Sequence, residues 1–199
     1  NGYRTALIGK WHLGYLQKHH PMNFGFQKFV GFKSGNVDYQ SHRNRYGDMD
    51  WWDGLEMKDM SGYTTTLLTT LSEDYIKENK DKPFCLYIAH AAPHSPMQGP
   101  DEKAVRTEAT PEGDKNSDRS NKEIYKDMVE ELDWSVGRIL ETLKKYKLDE
   151  NTFVVFFSDN GPVINNGGSA GGYKGAKGSP WEGGHRVPGI CYMPGTIKE

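Results

Sequence analysis

Two side chains suited to chemistry on an anionic ester follow the first short apolar run of the chain. Lys10 and His12 come just after residues 6–8. A lysine supplies a point charge for an anion, and a histidine carries a proton near neutral pH. Two residues apart on extended backbone, both heads can face the same side. Taken alone, the pair is equally compatible with a solvated surface charge and a histidine in a structural hydrogen bond.

Two hard oxygen donors, Asp159 and Asn160, follow the apolar run 152–157. A carboxylate and an amide oxygen suit Ca²⁺ or Mg²⁺. The same residues open an Asp-Asn-Gly-Pro sequence that is typical of a turn. Because Ca²⁺ takes about six to eight oxygens, any metal site here needs further ligands from elsewhere.

A third histidine and a second lysine lie in two other loops. His94 follows the apolar run 84–89 in a proline-stiffened loop, which suits a general acid held against a substrate oxygen. Lys177 lies in residues 174–186, where cations alternate with glycines, and we expect those glycines to let the backbone approach an anion. The simpler interpretations are a strand-capping histidine and a mobile basic loop.

The apolar pattern predicts the elements that must position these side chains. Strands are expected at residues 6–8, 84–89, 152–157 and 187–193, and helices at 63–80 and from a capping box at Ser120 and Glu123. Loops are expected from the first strand to about residue 62, over 94–119 and over 161–184. This alternation predicts an α/β fold with a mainly parallel sheet flanked by helices. Ligands bind beyond the carboxyl ends of such strands, so Lys10, His94, Asp159 and Lys177 are expected to converge.

Composition narrows the function classes. Among 199 residues, Lys plus Arg (25) nearly balances Asp plus Glu (27), which argues against a nucleic-acid or membrane-surface partner. No stretch approaches the roughly 20 apolar residues of a membrane span. Cys85 and Cys191 lie in separate apolar runs without metal-type spacing, and we expect both to be buried thiols.

Three sequence motifs, taken in their order along the chain, resemble those of the sulfatase family, of the arylsulfatase and N-acetylgalactosamine-6-sulfatase type. They are residues 2–12 (GYRTALIGKWH), 158–161 (SDNG) and 177–184 (KGSPWEGG). The resemblance implies that residues 1–199 form part of a catalytic domain with an alkaline-phosphatase-like fold. It also implies hydrolysis of a sulfate ester in a sulfated carbohydrate or an aryl sulfate.

The resemblance assigns a role to each candidate residue. Asp159 and Asn160 are similar to two ligands of the active-site divalent cation, Ca²⁺ in most members, with Mg²⁺ as the alternative. Lys10 and Lys177 resemble the lysines that hold sulfate oxygens. His94 resembles the histidine that contacts the sulfate and protonates the leaving oxygen, and His12 the one that assists breakdown of the sulfated intermediate. A looser match makes Ser34 a substrate-binding residue near the nucleophile.

One feature of the family pattern is absent from the sequence. Family members carry a formylglycine made from a Cys/Ser-x-Pro-x-Arg phrase, with an Asp-Asp pair upstream, and neither phrase occurs here. We expect both in a preceding segment, and a smaller C-terminal subdomain after this one. The chain alone is therefore expected to lack turnover and to self-associate through an uncovered sheet edge. The resemblance further implies a periplasmic or secreted location if bacterial, and a lysosomal one if animal.

Two other functions stay open at this point. One is a phosphoesterase or phosphonate hydrolase of the same superfamily. The other is a non-catalytic glycan-binding relative, in which Trp51, Trp52 and Tyr46 would form a sugar-stacking platform, although packing under the long loop is favoured. The sulfated substrate itself is not readable, and specificity is expected to reside in loops 24–52 and 95–119.

Overall fold

The computed structural model describes residues 2–111 and 117–197. Its strands are β1 (Arg4–Lys10), β2 (Lys28–Phe32), β3 (Trp52–Asp53), β4 (Glu56–Met57), β5 (Phe84–Ala89), β6 (Val154–Phe157) and β7 (Gly189–Tyr192). Strands β1 to β5 form one sheet in the order β4-β3-β2-β1-β5, and β6 pairs with β7 in a second sheet. The predicted α/β class is confirmed.

The larger sheet is parallel at its centre. Strand β1 pairs in parallel with β2 and with β5, while β3 and β4 add an antiparallel hairpin at one side. The β6–β7 pair is also antiparallel. The carboxyl ends of β1, β2 and β5 therefore meet at one edge of the sheet.

Two long helices, α1 (Thr64–Asn79) and α2 (Asn121–Lys145), pack on this sheet, and a short helix α3 (Glu182–His185) precedes β7. The predicted capping box begins α2: the Ser120 side chain accepts from the Glu123 amide, and the Glu123 carboxylate accepts from the Ser120 amide at 2.8 Å. Helix α1 follows Tyr63 as predicted. Short 3₁₀ turns lie at Gln17–His19, Pro21–Phe24, Asp149–Asn151 and Ile164–Asn166.

The core lies between the sheet and the two helices. Buried side chains from β1, β2, α1 and α2 meet there, including Ile8, Phe32, Leu68 and Met128. A second cluster of Ile76, Ile139 and Leu143 packs against β5. These contacts hold the sheet against the helices, because burying apolar surface contributes about 25 cal/mol per Å² to stability.

Strands β2, β3 and β4 lie inside the segment expected to be a loop, so that expectation was wrong. Strand β2 forms by pairing with β1, more than 20 residues away, and carries Gly31 at φ 144°. A Cβ at Gly31 would lie 2.2 Å from the Gly9 carbonyl oxygen. The strand therefore depends on a backbone approach between distant residues, which local pattern does not reveal.

Strands β5 and β6 are each more exposed on one face than on the other. Exposure alternates along each, and both Cys85 and Cys191 are exposed rather than buried. Within the described residues, β5 pairs with β1 on one edge and with no strand on the other, and β6 pairs with β7 alone. On one face of each strand, large side chains such as Tyr87 and Phe157 are exposed.

None of the helices in the described ranges is long and apolar enough to cross a membrane.

Candidate active site

Strand β1 carries Lys10 and His12 to the edge where the parallel strands end. Lys10 is its last residue, and the backbone then continues beside β2: the Trp11 amide donates to the Phe32 carbonyl at 2.9 Å and the His12 amide to Lys33 at 3.2 Å. His12 has φ 54°, a left-handed conformation uncommon outside glycine. Backbone strain of this kind persists where the surroundings impose it.

The structure brings all but one of the predicted site residues together. Lys10, His12, His94, Asp159, Asn160 and Lys177 are among the many residues that line one large cavity bordered by β5 and β6. The charges of Lys10, Asp159 and Lys177 also act on both His12 and His94, which shows that these groups are close. These residues come from four separate stretches of the chain. The expected convergence at the strand ends is therefore observed, while the individual catalytic and binding roles remain predictions.

The charges of this pocket act on one another. Burial lowers the pKa of Lys10, the Asp159 carboxylate raises it, and Lys177 lowers it further. Burial also lowers the pKa of His12, as do the charges of Lys10 and Lys177, while Asp159 opposes them. Two ammonium groups near one carboxylate leave a local excess of positive charge. An anion would relieve that repulsion, so the pocket favours an anionic ligand.

His94 is held in a defined tautomer. Its Nδ1 lies 2.9 Å from the Ser95 carbonyl oxygen, which can only accept, so Nδ1 carries the proton. In the neutral ring Nε2 is therefore the atom without a proton. Burial lowers the pKa of His94, the bond to Ser95 raises it, and Lys177 and Lys10 lower it. Bound negative charge would shift this balance towards protonated Nε2, the form that can donate.

Asp159 and Lys177 are brought together by a backbone junction built on glycines. The Gly161 amide donates to the Gly184 carbonyl at 2.8 Å, and the Lys177 amide donates to Pro162 at 3.0 Å. A Cβ at Gly161 would lie 2.0 Å from the Gly183 carbonyl oxygen. We expected the glycines of this loop to approach an anion, but here they let backbone pack on backbone.

Asp159 and Asn160 fit part of a divalent-cation site. The Asn160 amide nitrogen donates to the Gly161 carbonyl at 2.9 Å. The amide oxygen of the same side chain takes no part in that hydrogen bond. With the Asp159 carboxylate this provides two hard oxygen donors. In residues 2–111 and 117–197, no group of three or more His, Cys, Asp or Glu side chains could hold a metal. A complete Ca²⁺ shell would need donors beyond these two.

Ser34 is the predicted site residue that does not line this cavity, although it is next to Gly35, which contacts His12. It is buried, its hydroxyl donates to the Asn36 carbonyl at 2.8 Å, and its amide donates to Asp50 at 2.8 Å. Its substrate-binding role remains a prediction. Two neighbours that we did not single out, Gly35 and Tyr39, contact the site histidines. They lie far from those histidines in sequence, so spacing gave no signal.

The three aromatic residues considered for a sugar platform do not form one. Trp51 is 1% exposed in the core, whereas Tyr46 is 59% exposed. Trp52 covers the Lys33 ammonium at 3.2 Å and donates to Asp50 at 2.7 Å. Packing, the favoured interpretation, accounts for Trp51.

A family model for sulfatases matches residues 1–199. The chain belongs to the sulfatase family. It is 34% identical to N-acetylgalactosamine-6-sulfatase from Canis lupus familiaris over 98% of this chain and 38% of that protein. It is 32% identical to an arylsulfatase from Hemicentrotus pulcherrimus over 99% of this chain and 37% of that protein.

A solved structure extends the likeness to the fold. The crystal structure of Ps i-CgsB in complex with k-i-k-neocarrahexaose superposes with a TM-score of 0.81 at 31% identity, covering 98% of this chain and 45% of that one. The fold of this sulfatase chain is alkaline-phosphatase-like. The chain spans less than half the length of these relatives.

Proposed function

We propose that the protein to which this chain belongs is a sulfuric ester hydrolase acting on a sulfated carbohydrate. The observation that carries the proposal is that the charges of Lys10, Lys177 and Asp159 act on one another and on both His12 and His94. Family membership supports the same reaction. The relatives named as sulfatases are full-length proteins, so the activity of this one is inferred.

The lysines suit the charge that a sulfate ester presents. Lys10 and Lys177 would hold the sulfate oxygens and neutralise the charge that develops on them, which is the kind of preorganised field that stabilises such transition states. Because burial and mutual repulsion lower the pKa of Lys10, a bound sulfate would stabilise its charged form. The same excess of positive charge would therefore favour both sulfate binding and stabilisation of the transition state.

The histidines suit proton transfer. With Nδ1 of His94 donating to Ser95, protonated Nε2 would pass its proton to the leaving alcohol oxygen as a general acid. His12, two residues after Lys10 in sequence, would assist breakdown of the sulfated intermediate.

Two further groups complete the proposal. Asp159 and Asn160 would hold a divalent cation, Ca²⁺ or Mg²⁺, whose charge would be added to that of the lysines. The nucleophile is proposed to be a formylglycine outside residues 1–199. A periplasmic, secreted or lysosomal location belongs to the same proposal.

The substrate class rests on the relatives. One structural neighbour was solved with k-i-k-neocarrahexaose, and one curated relative is named for a sulfated amino sugar. A sulfated glycan is therefore favoured over a simple aryl sulfate as the natural substrate. No nucleic-acid partner is proposed, given the near balance of charge.

The test compares two lysines of one loop in the full-length protein. Lys177→Ala is expected to lower kcat for a model aryl sulfate about 10²–10³-fold, the usual loss for one electrostatic donor. Lys174→Ala is the matched control, because that ammonium lies 3.7 Å over the Trp181 ring instead. The 199-residue chain alone is expected to release no sulfate.

Three outcomes would each contradict part of the proposal. Equal activities of the Lys177 and Lys174 variants would remove Lys177 from the sulfate site. Faster turnover of the matching aryl phosphate by the full-length protein would assign it to phosphoester chemistry, the alternative within the same superfamily. Sulfate release by the isolated chain would show that its nucleophile lies within residues 1–199.

A further inference from the structure

We propose that residues 33–39, called here the support segment, position both site histidines at once. The proposal rests on the function proposed above, since it names how the same site is held in place. The segment follows β2 and contacts His12 near one end and His94 near the other. It is built from residues that the sequence does not connect with either histidine.

The first contact is between Gly35 and the ring of His12. A Cβ at Gly35 would lie 2.5 Å from Nε2 and 2.6 Å from Cε1 of His12. The imidazole therefore lies directly on the backbone of the segment, in space that any larger residue would take. The His12 amide also donates to the Lys33 carbonyl at 3.2 Å. Ring and backbone of His12 are thus both held by the segment, at a residue whose φ of 54° is left-handed.

The second contact joins Tyr39 to the backbone of His94. The Tyr39 hydroxyl donates to the His94 carbonyl at 2.9 Å. Its ring is fully buried and stacks on Tyr63 with centroids 5.4 Å apart. Its amide donates to the Gln98 side chain at 3.0 Å. Tyr39 therefore fixes the loop on which His94 stands without touching the imidazole.

Two buried carboxylates hold the support segment in place. Asp50 accepts from the amides of Lys33 and Ser34 at 3.1 and 2.8 Å. At the other end Asp38, which is fully buried, accepts from the amides of Val105 and Arg106 at 2.8 Å each. Hydrogen bonds to a buried carboxylate are strong and costly to lose. A segment fixed at both ends can transmit its geometry to both histidines.

Gly35 and Tyr39 are consequently positioning residues. The two histidines are far apart in sequence, and their relative placement depends on loops that carry no regular secondary structure. Both histidines contact the support segment, His12 through Gly35 and His94 through Tyr39. A change at either contact should therefore alter one histidine selectively.

The test reads the ring signals of the histidines by NMR during a pH titration of the 199-residue chain. Gly35→Ala should displace the His12 ring towards solvent and raise its pKa, because burial is the main cause that lowers it. Tyr39→Phe should shift the titration of His94 and leave His12 unchanged. Matched controls are Gly137→Ala, whose Cβ would meet nothing within 4 Å, and Tyr75→Phe, whose buried hydroxyl has no hydrogen-bond partner in the described residues. Both controls should leave the two titrations as they are.

A stability cycle provides the second readout. If Gly35→Ala destabilises the fold through the His12 ring, the loss should vanish in a His12→Ala background, where the ring is absent. Additive losses in that cycle, or unchanged His12 and His94 titrations in folded variants, would overturn the proposal. Neither readout needs turnover. The positioning role can therefore fail while the proposed hydrolase activity stands, and the reverse also holds.

Discussion

A half-buried histidine that the proposed reaction does not use should make the fold acid-sensitive. His90 follows β5, with Nε2 3.3 Å from the Ser135 hydroxyl, while its Nδ1 is buried without a partner in the described part of the chain. Burial lowers the pKa of His90 from 6.5 to about 4. The unfolded chain therefore takes up the proton first as pH falls. The stabilisation is complete above pH 6.5 and is lost progressively between that value and about pH 4.

The size of the effect follows from the two pKa values. One unit of pKa difference corresponds to about 1.36 kcal/mol. Lowering the pH from 7 to 5 should therefore remove about 2 kcal/mol of unfolding free energy through His90 alone. Against a typical total of about 5–15 kcal/mol, this loss is readily measured.

Urea unfolding at pH 7 and pH 5, followed by tryptophan fluorescence, measures this loss of unfolding free energy. His90→Gln keeps a group able to bond to Ser135 but removes the titration. Between pH 7 and pH 5, the unfolding free energy of this variant should therefore fall about 2 kcal/mol less than that of the parent chain. His12, His20, His42 and His94 also have lowered pKa values, so both proteins will lose additional stability. His185→Gln, at an exposed position, is the matched control and should behave as the parent does. The same pH-dependence in the His90 variant would refute the reasoning.

Two further predictions concern the glycine junction and the open strand edges. Gly161→Ala should destabilise the fold by about 3 kcal/mol, the upper part of the overpacking range, because its Cβ would meet the Gly183 carbonyl at 2.0 Å. Thermal unfolding checks this against Gly172→Ala, whose Cβ would meet nothing within 4 Å; equal losses would argue against the junction. The chain should also self-associate, because β5 and β6 each have an edge unpaired within the described residues and apolar side chains lie exposed beside them. Light scattering that shows a monomer at all concentrations would contradict this.

Local sequence determined the features whose cause is local. The capping box at Ser120 and Glu123 begins α2 because both partners lie within one turn. The apolar spacing predicted α1 and α2, and the short apolar runs predicted β1, β5, β6 and β7. Since chemistry in an α/β sheet gathers at the carboxyl ends of the strands, the residues after those runs were identified as candidates before their contacts were known.

Tertiary structure alone decided the features that depend on distant partners. Strand β2 exists because it pairs with β1. Cys85 and Cys191 are exposed although each lies in an apolar run, because exposure depends on what packs over the strand face. The roles of Gly35 and Tyr39 arise from contacts with residues 23 to 55 positions away. A sequence pattern records which side chains a short segment offers. Packing between segments determines which of these side chains come into contact. At Gly35 the absence of a Cβ allows the contact with His12, and at Tyr39 one hydroxyl makes the contact with His94.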